Sequence, residues 1–225
     1  MSKKFFLCTA IWILIFSPFA LAGSIVNSGF ESSVAGTKYD IPSDWTTENY
    51  VESVDGFVPN NYNGVKTSWQ IDVTTELTAY EGSKFVLLST GDSSVNYAKI
   101  SQQVTLQAGD IITGAYFFGA CDYYSWEDYA TITLVAQAGS GLTDIELVNI
   151  GIAEVGDYGS TDGWVTFQSE VITALTAGTY TLECTVFDLN DFQLESYFAV
   201  DGIAIIPEPA SIMLLISGLL IIRKK

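Results

Sequence analysis

Lys99-Ile100-Ser101-Gln102-Gln103-Val104-Thr105-Leu106 alternates residue by residue, with Ile100, Gln102, Val104 and Leu106 on one parity and Lys99, Ser101, Gln103 and Thr105 on the other. A period of two is what a strand with one dry and one wet face requires. The pattern returns further along: Tyr180, Leu182, Cys184 and Val186 oppose Thr179, Thr181, Glu183 and Thr185, and Ala130, Ile132 and Leu134 oppose Thr131 and Thr133. Outward from these segments, runs near residues 68–74, 84–89, 97–106, 111–120, 129–137, 144–151, 164–172, 178–187 and 197–206 are separated by Gly, Asp and Ser turns. No amphipathic helical window competes with them. Many short strands, Gly-rich turns and β-branched and aromatic enrichment predict an all-β fold, an antiparallel β-sandwich of jelly-roll type.

The two ends read differently from this body. Lys3-Lys4, the apolar stretch Phe5 to Phe16, Pro18 and Ala20-Leu21-Ala22 before Gly23 have the order of a cleavable signal peptide over residues 1–22. At the other end stand Pro207-Glu208-Pro209, an apolar run from Ala210 to Ile222, and Arg223-Lys224-Lys225. The run makes a single hydrophobic helix of roughly 20 Å at ~1.5 Å per residue, short of a ~30 Å hydrocarbon core. Its terminal cations belong on the cytoplasmic side and can snorkel to extend the span.

The triplet, the run and the basic end, in that order, resemble the PEP-CTERM sorting signal of Gram-negative bacteria. The resemblance implies export by the secretion machinery and a membrane-anchored precursor. It further implies an exosortase partner, a membrane transpeptidase that cuts near Pro-Glu-Pro and releases the protein to the cell surface or to an exopolysaccharide or biofilm matrix. An uncut tail anchor is the other reading of these residues. The expected organisation is a signal peptide (1–22), a β-sandwich domain (23–206) and a sorting segment (207–225).

Charge narrows the partners. Outside the tails the body keeps 25 acids against Lys38, Lys66, Lys84 and Lys99, a net of −21 with no Arg and no His. Such a surface repels phosphate backbones, which excludes nucleic acid as a partner. It suits divalent cations, which neutralise carboxylates, and it equally suits a dispersed extracellular protein.

Cys8 leaves with the signal peptide, so Cys121 and Cys184 remain in an oxidising compartment, where one disulfide is permitted. Cys184 shares the parity of Tyr180 and Leu182, as a buried thiol would. Counted from the turns Ala108-Gly109 and Ala177-Gly178, Cys121 lies about six positions further along its strand. That offset is about 20 Å at ~3.3 Å per residue, beyond the ~4.4–6.8 Å reach of a bridge unless topology staggers the strands.

The opening Asn27-Ser28-Gly29-Phe30-Glu31, then Ile41-Pro42-Ser43-Asp44-Trp45, and the closing Phe198-Ala199-Val200-Asp201-Gly202-Ile203 resemble the first and last strands of galactose-binding-like jelly rolls, a group that includes many carbohydrate-binding modules. The resemblance implies that these strands lie together and hold a structural Ca²⁺ through Glu31 and Asp201. Gly202 stands where a second acid is usual.

A second constellation is Asp122-Tyr123-Tyr124-Ser125-Trp126-Glu127-Asp128-Tyr129. Asp122, Glu127 and Asp128 offer oxygens suited to Ca²⁺. Tyr123, Tyr124 and Trp126 offer flat rings on which the C–H faces of a sugar stack. Trp69 and the stretch Asn60-Asn61-Tyr62-Asn63-Gly64 are candidates to line the same region. The bland alternative is a loop whose rings cover the end of the core while its acids stay solvated.

Catalysis finds little support. Without His there is no triad, no HExxH zinc site and no imidazole acid–base chemistry, and neither a phosphate loop nor a GxSxG elbow is present. A carboxylate-pair glycosidase is the one enzymatic reading left open. The leading expectation is a non-catalytic matrix protein that binds polysaccharide. A purely structural or adhesive surface protein is the alternative.

Overall fold

The computed structural model describes residues 23–36, 40–57, 76–90, 95–189 and 194–207. The expected signal peptide, the run near 68–74 with Trp69, and the expected sorting residues Glu208, Pro209, Arg223, Lys224 and Lys225 lie outside them.

The described chain opens with short strands: β1 (Ser33–Ala35), β2 (Asp40–Pro42), β3 (Thr46–Glu48), β4 (Tyr50–Val54), β5 (Gly56–Phe57) and β6 (Leu77–Thr78). Longer ones follow: β7 (Phe85–Ser89), β8 (Tyr97–Leu106), β9 (Asp110–Gly119), β10 (Tyr129–Ala136) and β11 (Ile145–Gly151). A one-turn helix, α1 (Ile152–Val155), precedes β12 (Val165–Gln168), β13 (Gly178–Phe187) and β14 (Tyr197–Pro207). Two five-stranded antiparallel sheets form, ordered β11-β10-β13-β8-β3 and β12-β9-β14-β7-β4, with the pairs β1-β2 and β5-β6 beside them. From β7 to β10 the chain crosses from one sheet to the other at every step. The all-β, antiparallel sandwich is therefore as the alternation predicts.

The two alternating segments that open the sequence reading pair with each other. β13 runs against β8 from Gly178↔Leu106 to Phe187↔Tyr97, and against β10 on its other side. Tyr180, Leu182, Cys184 and Val186 are fully buried, facing Phe118, Phe198 and Val200 in a core shared by both sheets. Each such aliphatic or aromatic side chain contributes about 1.5–3 kcal/mol by leaving water. Gln102 breaks the dry parity of β8 for a reason: its amide bonds both backbone groups of Val26 (2.8 and 3.0 Å) and the carbonyl of Asp44 (2.9 Å), tying down the N-terminal segment.

The second sheet is covered on both faces. Phe57, Phe85, Leu87, Phe117, Cys121, Tyr197 and Ala199 form a second cluster, with Leu77, Trp164 and Leu194 against it. A strand buried on both faces needs no alternation, and β7 accordingly reads Phe-Val-Leu-Leu without a polar break.

The cysteine arrangement follows from this layering. Both thiols are free and buried, Cys184 in the central core and Cys121 in the second cluster, so the permitted disulfide is not formed. The last strand also runs one residue beyond the expected boundary, because Pro207 is still paired with Asp110. Pro207, the first residue of the expected sorting motif, thus sits at the end of a sheet strand.

Candidate functional site

The 122–128 loop links β9 in one sheet to β10 in the other, and it is built from the inside outwards. Asp122 and Asp128 point into the protein and are 1% and 0% exposed, whereas Tyr123 and Tyr124 are 40% and 70% exposed. Glu127 is exposed and Trp126 half-buried. The backbone geometry explains the split. Tyr123 N–H bonds Asp122 Oδ1 (2.8 Å), Trp126 N–H bonds the carbonyl of Tyr123 (3.0 Å), and Asp128 N–H bonds that of Trp126 (2.9 Å). Ser125 takes a φ of 101°, which turns the chain tightly enough to leave both tyrosines outside.

Asp128 anchors the loop. Its Oδ2 accepts the hydroxyl of Ser196, its Oδ1 accepts Leu189 N–H (3.2 Å), and its carbonyl accepts Ile152 N–H (3.1 Å). Ser196 also receives Cys121 N–H (3.2 Å) and donates its own N–H to Thr90 (2.9 Å). Burial pushes the Asp128 carboxyl up to about 8; Asp188 and Asp122 add to the rise, against the lowering effect of the Ser196 and Leu189 bonds. The loop is therefore held by a carboxyl group whose charged form burial disfavours.

A second segment completes the exposed face. Tyr124 N–H bonds Asp157 Oδ1 (2.7 Å) and Tyr158 N–H bonds the Asp122 carbonyl (2.8 Å). The rings of Tyr123 and Tyr158 lie 5.7 Å apart at 44°. The structure thus sets Tyr158 beside Tyr123 and ties the Tyr124 backbone to Asp157. Of the expected platform residues Trp69, Tyr123, Tyr124 and Trp126, Tyr123 and Tyr124 are exposed, Trp126 is half-buried and Trp69 lies outside the described residues. Tyr158 and Asp157 escape a sequence reading because their proximity depends on how the α1–β12 connection crosses the end of β9. The turn composition Gly156-Asp157-Tyr158-Gly159 is the one local signal there.

Glu31 and Asp201 both bond the loop of residues 80–84, at different backbone groups, and β14 pairs within its sheet with β9 and β7 and not with the opening segment. Asp201 Oδ2 accepts Tyr80 N–H (2.8 Å) and Glu81 N–H (3.0 Å), and its Oδ1 accepts Gly202 N–H (2.7 Å). Glu31 Oε1 accepts Ser83 N–H (2.7 Å) and Lys84 N–H (3.1 Å), and its Oε2 accepts the Ser83 hydroxyl (2.6 Å). Every oxygen of the pair has a protein donor, and no group of three potential metal ligands converges among the described residues. This arrangement fits a hydrogen-bonded latch on residues 80–84 and does not fit Ca²⁺ held between Glu31 and Asp201. Asp122 and Asp128 face inwards while Glu127 faces water, so these three do not form one ligand set either.

The latch holds a smaller aromatic pair. Tyr80, 48% exposed, lies 6.2 Å from Trp164, whose ring meets Phe85 edge-on at 5.4 Å and whose indole N–H bonds the carbonyl of Thr78 (2.8 Å).

Comparison with known proteins adds likenesses of shape. No family model and no curated protein matches the chain. Among solved structures it is similar to the carbohydrate-binding module TmCBM61 in complex with β-1,4-galactotriose, at 18% identity over 82% of this chain and 97% of that one, with a TM-score of 0.48. It is similar to a cyclase from Fischerella sp. TAU, at 15% identity over 82% and 98% with a TM-score of 0.45. It is also similar to the CBM22-1 xylan-binding domain from Paenibacillus barcinonensis Xyn10C, at 15% identity over 79% and 90% with a TM-score of 0.41.

Proposed function

We propose that this chain is an exported, non-catalytic β-sandwich protein that binds polysaccharide through the face formed by Tyr123, Tyr124 and Tyr158, and that its C-terminal segment directs exosortase processing at the cell surface. The observation that carries the binding reading is that Tyr123 and Tyr124 are exposed, with the half-buried Tyr158 beside Tyr123, on a loop whose backbone is fixed by buried groups. Rings that a fold leaves in water, yet anchors through Asp122, Asp128 and Asp157, are pre-organised for a flat apolar ligand face. A pre-ordered surface loses little conformational entropy on binding. Stacking on such rings needs no catalytic group, in keeping with a chain that has no His.

Truncating the most exposed ring tests the reading. Tyr124→Ala should weaken retention on an insoluble polysaccharide about fivefold to tenfold, while leaving the melting temperature nearly unchanged, since the ring is 70% exposed. Trp126→Ala should cost less retention and more stability, because that ring is half-buried. Retention equal to wild type in Tyr124→Ala would leave the structural or adhesive reading as the better one.

The sorting part has its own test. Glu208→Ala should leave uncut precursor in the membrane fraction of a host that carries an exosortase. Equal release of mutant and wild type would count against processing at this motif.

A further inference from the structure

Between Lys99 and Arg223 the chain carries no basic residue at all, and residues 100–206 hold fifteen Asp and Glu. Every element that builds the tyrosine face comes from that span: the 122–128 loop, the 156–163 connection, and the supporting residues 188–189 and 194–196. The described lysines are engaged elsewhere. Lys99 pairs with Glu48 (2.8 Å) and Glu183 (3.6 Å), and Lys84 bonds Ser33 Oγ (3.0 Å). Among the described residues, the face therefore combines ring surfaces, whose π-clouds are negative, with carboxylates and no counter-charge.

Resting on the polysaccharide reading above, we infer that the ligand of the Tyr123–Tyr124–Tyr158 face is a polysaccharide bearing free amines, with Asp157 and Glu127 meeting its ammonium groups beside the rings. Charge complementarity selects this class. A uronate or sulfated chain would meet like charge at each repeat, and a neutral chain would use the rings but not the acids. Asp122 and Asp157 lie near enough to Tyr158 to hold its phenol above the ordinary value, after the larger effect of burial. One exposed ammonium–carboxylate contact contributes little in water, so the ligand must be polymeric and engage several amines together.

The test uses the full-length chain over immobilised glucosamine oligomers, their N-acetylated counterparts of equal length, and a polyuronate. Wild type should bind the free-amine oligomer about tenfold more tightly than the acetylated one at low salt, with the preference shrinking as salt is added. The polyuronate should bind most weakly. Tyr124→Ala should weaken binding to both glucosamine forms. The double variant Asp157→Asn, Glu127→Gln should bring their affinities together, and the amide put in place of the Asp157 carboxylate still offers an oxygen to accept Tyr124 N–H. Equal wild-type affinity for the two forms, with Tyr124→Ala still harmful, would overturn the charge inference and leave the polysaccharide reading standing. Amine binding that ignores Tyr124→Ala would reveal only a general attraction to an acidic surface and would also overturn it. Failure to bind the free-amine oligomer would overturn the charge inference, whereas the polysaccharide reading stands or falls on the retention of Tyr124→Ala on an insoluble polysaccharide.

Discussion

At Asp128 two requirements of physical chemistry conflict, and the conflict pushes its carboxyl up to about 8. The carboxyl is needed as an acceptor for Ser196 and Leu189, yet it lies fully buried and near Asp122 and Asp188. An acid whose folded value is raised loses stabilising effect as pH rises, because the unfolded chain releases a proton that the folded chain retains. With Asp128 at about 8 and Asp201 at about 6, the stability they leave intact below pH 4 should fall as pH climbs towards 8, by at most about 1.4 kcal/mol per unit for one group. Glu31 and Glu48, held below their ordinary values chiefly by Ser83 and by Lys99, act in the opposite sense and matter only below about pH 4.5. Melting curves should therefore show greater stability at pH 5 than at pH 8. Asp128→Asn should flatten that difference. A profile equally steep in the variant would locate the titration elsewhere.

The loop of residues 80–84, between β6 and β7, illustrates the element scale. Loops of this kind leave backbone N–H groups unpaired, and here Asp201 and Glu31 take four of them. Asp201 stands just before a bulge in β14, where pairing shifts register and Gly202 adopts a φ of 59°, a conformation that a side chain would strain. Asp201→Ala should cost roughly 1–2 kcal/mol by removing the acceptor of the part-buried Tyr80, Glu81 and Gly202 N–H groups, a fall of about 3–8 °C for a domain of this size. If hydrogen bonding is the whole role, the loss is the same in Ca²⁺ and in EDTA. A loss confined to the Ca²⁺ condition would restore the metal reading. The strands themselves show what alternation can reveal: β8 and β13 match their expected spans, whereas β1 to β6, of two to five residues, are too short for a period to register.

Over the whole molecule, layering decides the fate of the cysteines. Cys184 points into the space between the sheets, and Cys121 lies in the cluster on the far face of the second sheet, so a sheet separates them. Burial raises both thiols far above their ordinary value, which makes them poor nucleophiles. A bridge between these positions would be worth about 4 kcal/mol. A reducing agent should accordingly leave the melting temperature unchanged, and a marked fall would show a bridge after all.

Period-two alternation, absence of His and the excess of acids determined, without coordinates, that the body is an antiparallel β-sandwich with an acidic surface. Each of these is a property of local spacing or of composition, and none of them changes when the chain folds. The sequence also singled out the 122–129 loop, Glu31 and Asp201 as residues to watch, though not the loop that the last two hold. Only the tertiary structure decided that Asp122 and Asp128 turn inwards, that Tyr158 comes to lie beside Tyr123, and that Glu31 and Asp201 hold a loop. Those outcomes depend on which strands become neighbours and on which donors burial leaves in need of an acceptor. Both are settled by contacts between residues tens to more than a hundred positions apart.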